Sequence, residues 1–268
     1  MTLFPEYTCG QEAIAFIKKH EPPEGYYLGF SGGKDSVVVY DLAKKANVKF
    51  QAYYAATGID PPEITKFIKT NYSDVIWKHP KKSFFHLVAN MGYPTMQNRW
   101  CCTYLKKAPL DKIPLKHRLV GIRKEESSKR ASRPMIDEYK STNQIMYKPI
   151  FHWKEWQVWE YIENHVLNVC SLYDEGFSRL GCVVCPVHCG NEKRLALHKN
   201  RWPKMYYAFE KAMARLFYDK LCIYNKRAGS YNYIRIDFMT LEEFITAWYQ
   251  RKTIMIHKKG NKQYGLFD

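Results

Sequence analysis

Short apolar runs alternate, over the first two thirds of the chain, with stretches whose apolar residues recur at helical spacing; the pattern predicts strands separated by helices. QEAIAFIKKH at 11–20 reads as an amphipathic helix, closed by a Pro-Pro-Glu-Gly turn before an apolar strand over 26–30. A helix over 37–46, an aromatic-rich strand over 48–55, a helix opened by Pro61-Pro62-Glu63 and running through Asn71, and a short strand over 74–78 follow. A helical piece over 83–91, a segment at 99–107, a strand over 118–122, a polar loop to about residue 140 and an extended run over 147–151 continue the series. This order predicts an α/β fold: a mostly parallel twisted sheet with helices on both faces and a ligand at the carboxyl ends of the strands. Trp153, Trp156 and Trp159 lie at helical spacing in or beside EWQVWEYIENH and are expected to pack in the core. Beyond Gly190 the pattern is helical, clearest over 202–220 and 240–251, and HKKGNKQYGLFD reads as a tail. The expected division is an α/β domain over 1–190 and a helical C-terminal extension over 191–268.

The most informative stretch is Ser31-Gly32-Gly33-Lys34-Asp35-Ser36, set where the first strand should turn into a helix. Adjacent glycines let backbone N–H groups approach an anion, the helix N-terminus adds partial positive charge, and Lys34 adds a full one. Ser31 and Ser36 bring further donors. The glycines abut the lysine, so the four-residue spacing of a Walker loop is missing.

The 268 residues carry 42 Lys and Arg against 26 Asp and Glu, a formal charge of +16, with 16% aromatics. So large an excess, spread along the chain rather than packed into one tail, points to a large anion such as nucleic acid over a single small nucleotide. No stretch approaches the roughly 18 apolar residues of a membrane span, and a cytoplasmic protein without a membrane partner is expected.

Eight cysteines occur. With no export signal in view they read as thiols rather than disulfides. Cys101-Cys102 and the later Cys182-Val183-Val184-Cys185 could supply four thiolates to a soft metal, Zn or an iron–sulfur cluster. The rival set is Cys182, Cys185 and Cys189 with one of Cys101 or Cys102. Cys9, Cys170 and Cys222 read as core residues, and His188 as a hydrogen-bonding side chain.

The string SGGKDS resembles the PP-loop of the ATP pyrophosphatase superfamily, and the Cys-Cys pair with the distant Cys-x-x-Cys resembles the 4Fe-4S site of adenylyl-sulfate-type reductases. Thr57-Gly58 with Glu63, the run Gly121 to Ser127 with Arg130-Ala131, Pro149-Ile150 and LYDEGFSRLGC at 172–182 match as well. On these residues the chain is identified as a member of the phosphoadenosine phosphosulfate reductase family, closest in character to the ATP pyrophosphatases of DNA phosphorothioation. The resemblance implies an adenine nucleotide held by Ser31, Gly32, Gly33, Lys34, Asp35, Ser36, Thr57, Gly58 and Arg123. It implies catalytic roles for Lys34, Asp35 and Arg123, the last as a phosphate or sulfate clamp, and a 4Fe-4S ligand set of Cys101, Cys102, Cys182 and Cys185. Two departures stand out. The family's reductases use a cysteine in a Glu-Cys-Gly-Leu-His tail, whereas here the last cysteine is Cys222. Where the family has Asp-Thr-Gly, this chain reads Ala56-Thr57-Gly58, so that the acidic contact is either lost or supplied by Asp60 or Glu63.

Three functions fit these residues. The first is an ATP pyrophosphatase that uses ATP and Mg2+ to adenylate an acceptor for sulfur insertion, in nucleic acid, with sulfur from a donor protein such as a cysteine desulfurase. The second is a sulfonucleotide reductase that releases sulfite. The third is a non-catalytic nucleic-acid-binding subunit switched by nucleotide.

Overall fold

The computed structural model describes residues 5–140, 142–222, 234–235, 240–252, 255–258 and 262–265. By contacts along and across the chain it forms two compact units, the first of residues 1–56, 62–79 and 109–180, the second of 57–61, 80–108 and 181–268. The cysteine motif at 182–189 thus groups with the C-terminal residues.

The first unit is built on a six-stranded sheet of order β3-β2-β1-β4-β6-β5. Its strands are β1 Tyr26–Gly29, β2 Phe50–Ala55, β3 Ile76–Lys78, β4 His117–Val120, β5 Ile136–Tyr139 and β6 Gln144–Tyr147. All neighbours pair in parallel except β5 and β6, so the mostly parallel α/β sheet expected from the alternation is present. Helices α1 Pro5–Lys19, α2 Lys34–Lys45 and α7 Glu155–Asn164 pack against one another, and α3 Pro62–Asn71 joins β2 to β3. Buried tyrosines suit strands that must fill wide spaces yet satisfy a hydroxyl. Tyr26, fully buried, donates its hydroxyl to the Ile17 carbonyl at 3.0 Å. Tyr27 stacks on Tyr53 with centroids 5.0 Å apart, and the Arg118 guanidinium lies 4.4 Å from the Tyr27 centroid.

The stretch expected to be a loop up to residue 140 contains β5, an edge strand antiparallel to β6. Its alternation is masked by Asp137, which faces inward to meet buried Lys148 at 3.1 Å, while Lys148 also donates to the Pro134 carbonyl at 2.7 Å. Trp153 is buried as expected, but Trp156 is 57% exposed. Helical spacing alone does not say which stripe faces inward.

The second unit contains α4 Phe84–Met91, a π-helical segment Cys102–Lys107, α8 Glu192–Arg201, α9 Pro203–Arg215 and α10 Leu241–Tyr249, while α5 Ala108–Asp111 has its residues 109–111 in the first unit, to which α6 Ser128–Ala131 also belongs. α9 runs on into a second π-helical segment, Leu216–Cys222, whose side chains at 220–222 lie outside the described ones. Its aromatic core includes Phe209 between Phe84 and Trp248, with centroids at 5.9 and 4.5 Å, and Phe244 beside Tyr93 and Phe217. The residues read as a tail form β8 Met255–Lys258 and β9 Lys262–Gly265, an antiparallel pair that continues to β7 Ile234–Arg235. Leu266, Phe267 and Asp268 lie outside the described residues. Among the described residues no helix is long and apolar enough to cross a membrane.

The buried Lys148–Asp137 pair predicts that Asp137→Ala costs about 3 kcal/mol of stability by stranding an ammonium, and that Asp137→Ala with Lys148→Met recovers most of it; chemical denaturation checks both. In the second unit His188 and His198 stack with centroids 3.8 Å apart, and burial pushes each imidazole from its ordinary 6.5 down to about 4. Neutral rings are required, so protons bind the unfolded chain first. Stability is therefore expected to fall as pH drops from 6.5 towards 4, and thermal midpoints of His188→Gln against the parent across that range should show a shallower decline for the variant.

Candidate nucleotide cradle and thiol cluster

Gly32 has φ +73°, and a Cβ there would meet the Ile64 and Ile68 side chains at 3.0 Å, so only glycine makes this bend without strain. Gly33 then caps α2 in an extended conformation with no side-chain acceptor, and its carbonyl takes the Ser36 and Val37 amides at 3.0 and 3.1 Å. The serines brace this loop from within: Ser36 Oγ donates to the Gly33 carbonyl at 2.8 Å and accepts from Ser31 N–H at 3.2 Å. Ser36 is buried and Ser31 exposed, so of the two hydroxyls expected to meet a ligand only that of Ser31 faces solvent. Tyr173, which the sequence reading did not single out, accepts from the Lys34 amide at 2.9 Å. It sits in LYDEGF, where a tyrosine after a leucine carries no local signal of its role.

Lys34 does not extend freely over the loop. Its buried ammonium lies 3.1 Å from Glu155, donates to the Ser178 carbonyl at 3.2 Å, and sits over the Trp159 and Tyr173 rings at 5.8 and 5.5 Å. A charge that leaves water needs such compensation, and this explains why the side chain folds away from solvent. Arg123 comes from the segment after β4, which neighbours β1, so the two loops meet where the connections from adjacent strands diverge. Its Nε donates to Asp35 at 2.6 Å and its Nη1 to Glu125 at 2.8 Å. The carboxylates outweigh burial and hold the guanidinium even more firmly protonated, while the Glu155 amide, Lys154 and Arg123 pull Glu125 down. The expected clamp thus stands beside the loop with Asp35, already oriented by two carboxylates.

Thr57 and Gly58 belong to the second unit. Thr57 is buried; its amide donates to Asp60 at 2.7 Å and its hydroxyl lies 3.8 Å from the Cys182 sulfur, whereas Gly58, at φ +78°, faces open space. Asp60 supplies the acid at this turn by holding the Thr57 amide, and Cys182 donates to it at 3.8 Å. The Cys182 loop is tied down by Val183 N–H to the Ile59 carbonyl at 2.8 Å and by the Tyr206 hydroxyl to the Val183 carbonyl at 3.1 Å. Lys106 faces the same sulfur: Cys182 first, then Asp60 and Cys102, keep its ammonium protonated against burial. That lysine was overlooked among many others because its meaning lies in what it meets.

The four expected metal ligands, Cys101, Cys102, Cys182 and Cys185, all lie in this unit. Cys101 donates to Cys102 and so is held protonated, while that bond and Arg99, 3.3 Å away, pull Cys102 down. Burial pushes Cys182 up to about 11, Cys189 up to about 12, and Cys185 in the same direction. Among the described residues no three Cys, His, Asp or Glu side chains converge closely enough to hold a metal ion. Cys101, Cys102, Cys182 and Cys185 stand within electrostatic reach of one another, and Cys185 acts likewise on Cys189. Cys101 and Cys102 are hydrogen-bonded to each other, and Arg99, Asp60 and Lys106 are the further neighbours of these thiols. The donors suit a soft metal in kind, and no chemistry is routed through one.

Residues 25–188 match the phosphoadenosine phosphosulfate reductase domain. Two uncharacterized proteins of Methanocaldococcus jannaschii are 32% and 31% identical over 219 and 225 residues, covering 76% and 78% of this chain but 45% and 54% of their own lengths. The chain thus spans about half the length of these curated relatives. An adenosine 5'-phosphosulfate reductase of Bacillus cereus is 33% identical over 175 residues, 61% of this chain and 75% of that protein. The phosphoadenylyl-sulfate reductase of Candida auris is similar in fold, with a TM-score of 0.53 and 16% identity over 68% of this chain and 96% of that one. A glycine-capped helix at the switch between β1 and β4, together with these matches, makes the chain a member of the phosphoadenosine phosphosulfate reductase domain family.

Proposed function

We propose that this PP-loop protein is an enzyme that binds ATP with Mg2+ through its pyrophosphate and transfers the adenylyl group to an acceptor, which sulfur then attacks. The observation that carries this reading is the glycine loop opening α2, flanked by an Arg123 whose plane is set by Asp35 and Glu125. Amides and a preset guanidinium stabilise charge that grows on a leaving pyrophosphate without reorganising at the moment of reaction. An acceptor oxygen forms a bond to the α-phosphorus, the bond from that phosphorus to the bridging oxygen breaks, and pyrophosphate leaves. A sulfur nucleophile from a donor protein, such as a cysteine desulfurase, then displaces AMP. Asp35 orients Arg123, and its carboxylate would be available to hold the magnesium that accompanies the phosphates.

The acceptor we favour is nucleic acid, with a phosphate oxygen of DNA as the site of sulfur insertion. Beyond the charge of +16, one face of α9 and its extension exposes Lys204, Tyr207, Lys211, Arg215 and Tyr218 at steps of three and four residues. Lys211 lies over the Tyr207 ring at 4.8 Å, and among the described residues none of these cations is ion-paired with a carboxylate. Basic side chains interleaved with solvent-facing rings suit a phosphate backbone and its bases.

A second reading, a sulfonucleotide reductase, is favoured by the Bacillus cereus relative. The same loop would then hold the nucleotide phosphate, and a dithiol partner would supply two electrons to release sulfite.

With MgATP and single-stranded DNA, the full chain is expected to release pyrophosphate, and Arg123→Lys to lower kcat/KM about a hundredfold with the thermal midpoint little changed. Absence of pyrophosphate, with sulfite formed from adenylyl sulfate and reduced thioredoxin, would replace adenylation by the second reading. Gly32→Ala is expected to cost about 1–3 kcal/mol of stability and to weaken ATP binding, measured by denaturation and calorimetric titration.

A further inference from the structure

The second unit contains a groove of about 750 Å³ between the end of α4 and the π-helical segment, distinct from the thiol and carboxylate contacts of Cys182. Its walls include Asn98, Arg99, Trp100, Cys102, Tyr104 and Lys107, and its lining among the described residues includes no carboxylate. Two cations therefore face it with no acidic side chain to answer them. Arg99 has the Cys102 sulfur as partner at 3.3 Å, and neither it nor Lys107 is ion-paired among the described residues. The indole Nε1 of buried Trp100 likewise has no acceptor among the described residues, so another positive pole is left uncompensated in the wall. Trp100 is braced from behind by Phe84 at 5.8 Å and meets Tyr104 edge-on at 6.4 Å, which leaves Tyr104 47% exposed with a held ring. Met91, 43% exposed, adds a second apolar contact.

From this juxtaposition we propose that the groove binds a short stretch of single-stranded nucleic acid. Arg99 and Lys107 take phosphates, Tyr104 stacks a base, and the amides of Gln97 and Asn98 face base edges. A plain polyanion would need the cations but not the exposed ring; an apolar peptide would need the ring but would leave both cations unanswered. A chain that alternates phosphate and planar base uses both, and it fits a volume in the usual range of small-ligand sites. Binding places the strand beside the Cys102 sulfur. The inference rests on the adenylation reading for its choice of acceptor, and it adds where that acceptor is held.

The test is fluorescence anisotropy of labelled eight-nucleotide DNA and RNA with the full chain, without ATP, across a salt series. Tyr104 and Lys107 are both exposed, and thermal midpoints verify that the variants fold. Tyr104→Ala is expected to weaken binding about tenfold with the salt slope unchanged. Lys107→Ala is expected to weaken it and to lower the salt slope by about one. The tighter of the DNA and RNA arms identifies the acceptor's sugar. Inorganic polyphosphate should compete poorly and be indifferent to Tyr104→Ala. No binding by the parent, or equal affinity for polyphosphate, or binding unaltered in both folded variants, overturns the proposal. Oligonucleotide binding that depends on Tyr104 and Lys107 without any pyrophosphate release would keep this site and remove the adenylation reading; pyrophosphate release with no such dependence would do the reverse.

Discussion

The contact between Arg123 and Asp35, 2.6 Å from nitrogen to oxygen, joins the segment after β4 to the first turn of α2. It is made where Gly121 passes so close to Asp35 that a Cβ would stand 2.8 Å from that residue's carbonyl. A side chain at 121 would push the two turns apart and break the pair. β1 and β4 are neighbours in the sheet although a long stretch of chain separates them, and their connections leave in different directions. A crevice at that divergence follows from topology, and the ion pair sets its width.

Both cations of this crevice are already committed. Lys34 answers Glu155 and the Ser178 carbonyl, and Arg123 answers Asp35 and Glu125. An arriving anion would meet amides of α2 and an oriented guanidinium edge rather than a loose ammonium. Any charge it carries must compete with carboxylates that are part exposed, which favours ligands of high local charge such as linked phosphates over a lone carboxylate. Tyr173 ties down the same turn by accepting from the Lys34 amide at 2.9 Å.

The second unit distributes its chemistry differently. Its thiols are differentiated by neighbours: Cys102 is drawn towards the thiolate by Cys101 and Arg99, while burial keeps Cys182, Cys185 and Cys189 as thiols. The Cys182 loop owes its position to backbone contacts with Ile59 and to Tyr206 of α9, so it is shaped by segments far away in the chain.

Strand and helix alternation, the diglycine bend before α2 and the excess of basic residues were legible because each is a local pattern, enforced by periodicity, backbone sterics or composition. β5 was not, because Asp137 breaks its alternation and becomes sensible only opposite Lys148. The strands at 255–258 and 262–265 were hidden for a related reason: short polar strands are defined by the partner they pair with. The same distinction separates the site residues. Gly32 and Gly33 declare themselves, since no other residue makes that bend cheaply. The burial of Lys34, the partners of Arg123, the roles of Tyr173 and Lys106, and the neighbours of each cysteine depend on which distant groups come within a few ångströms. Covalent sequence therefore determined the local bend and the order of elements, and only tertiary contact decided which charges and thiols are spoken for, because Coulomb and desolvation energies are set by distance in space rather than by separation along the chain.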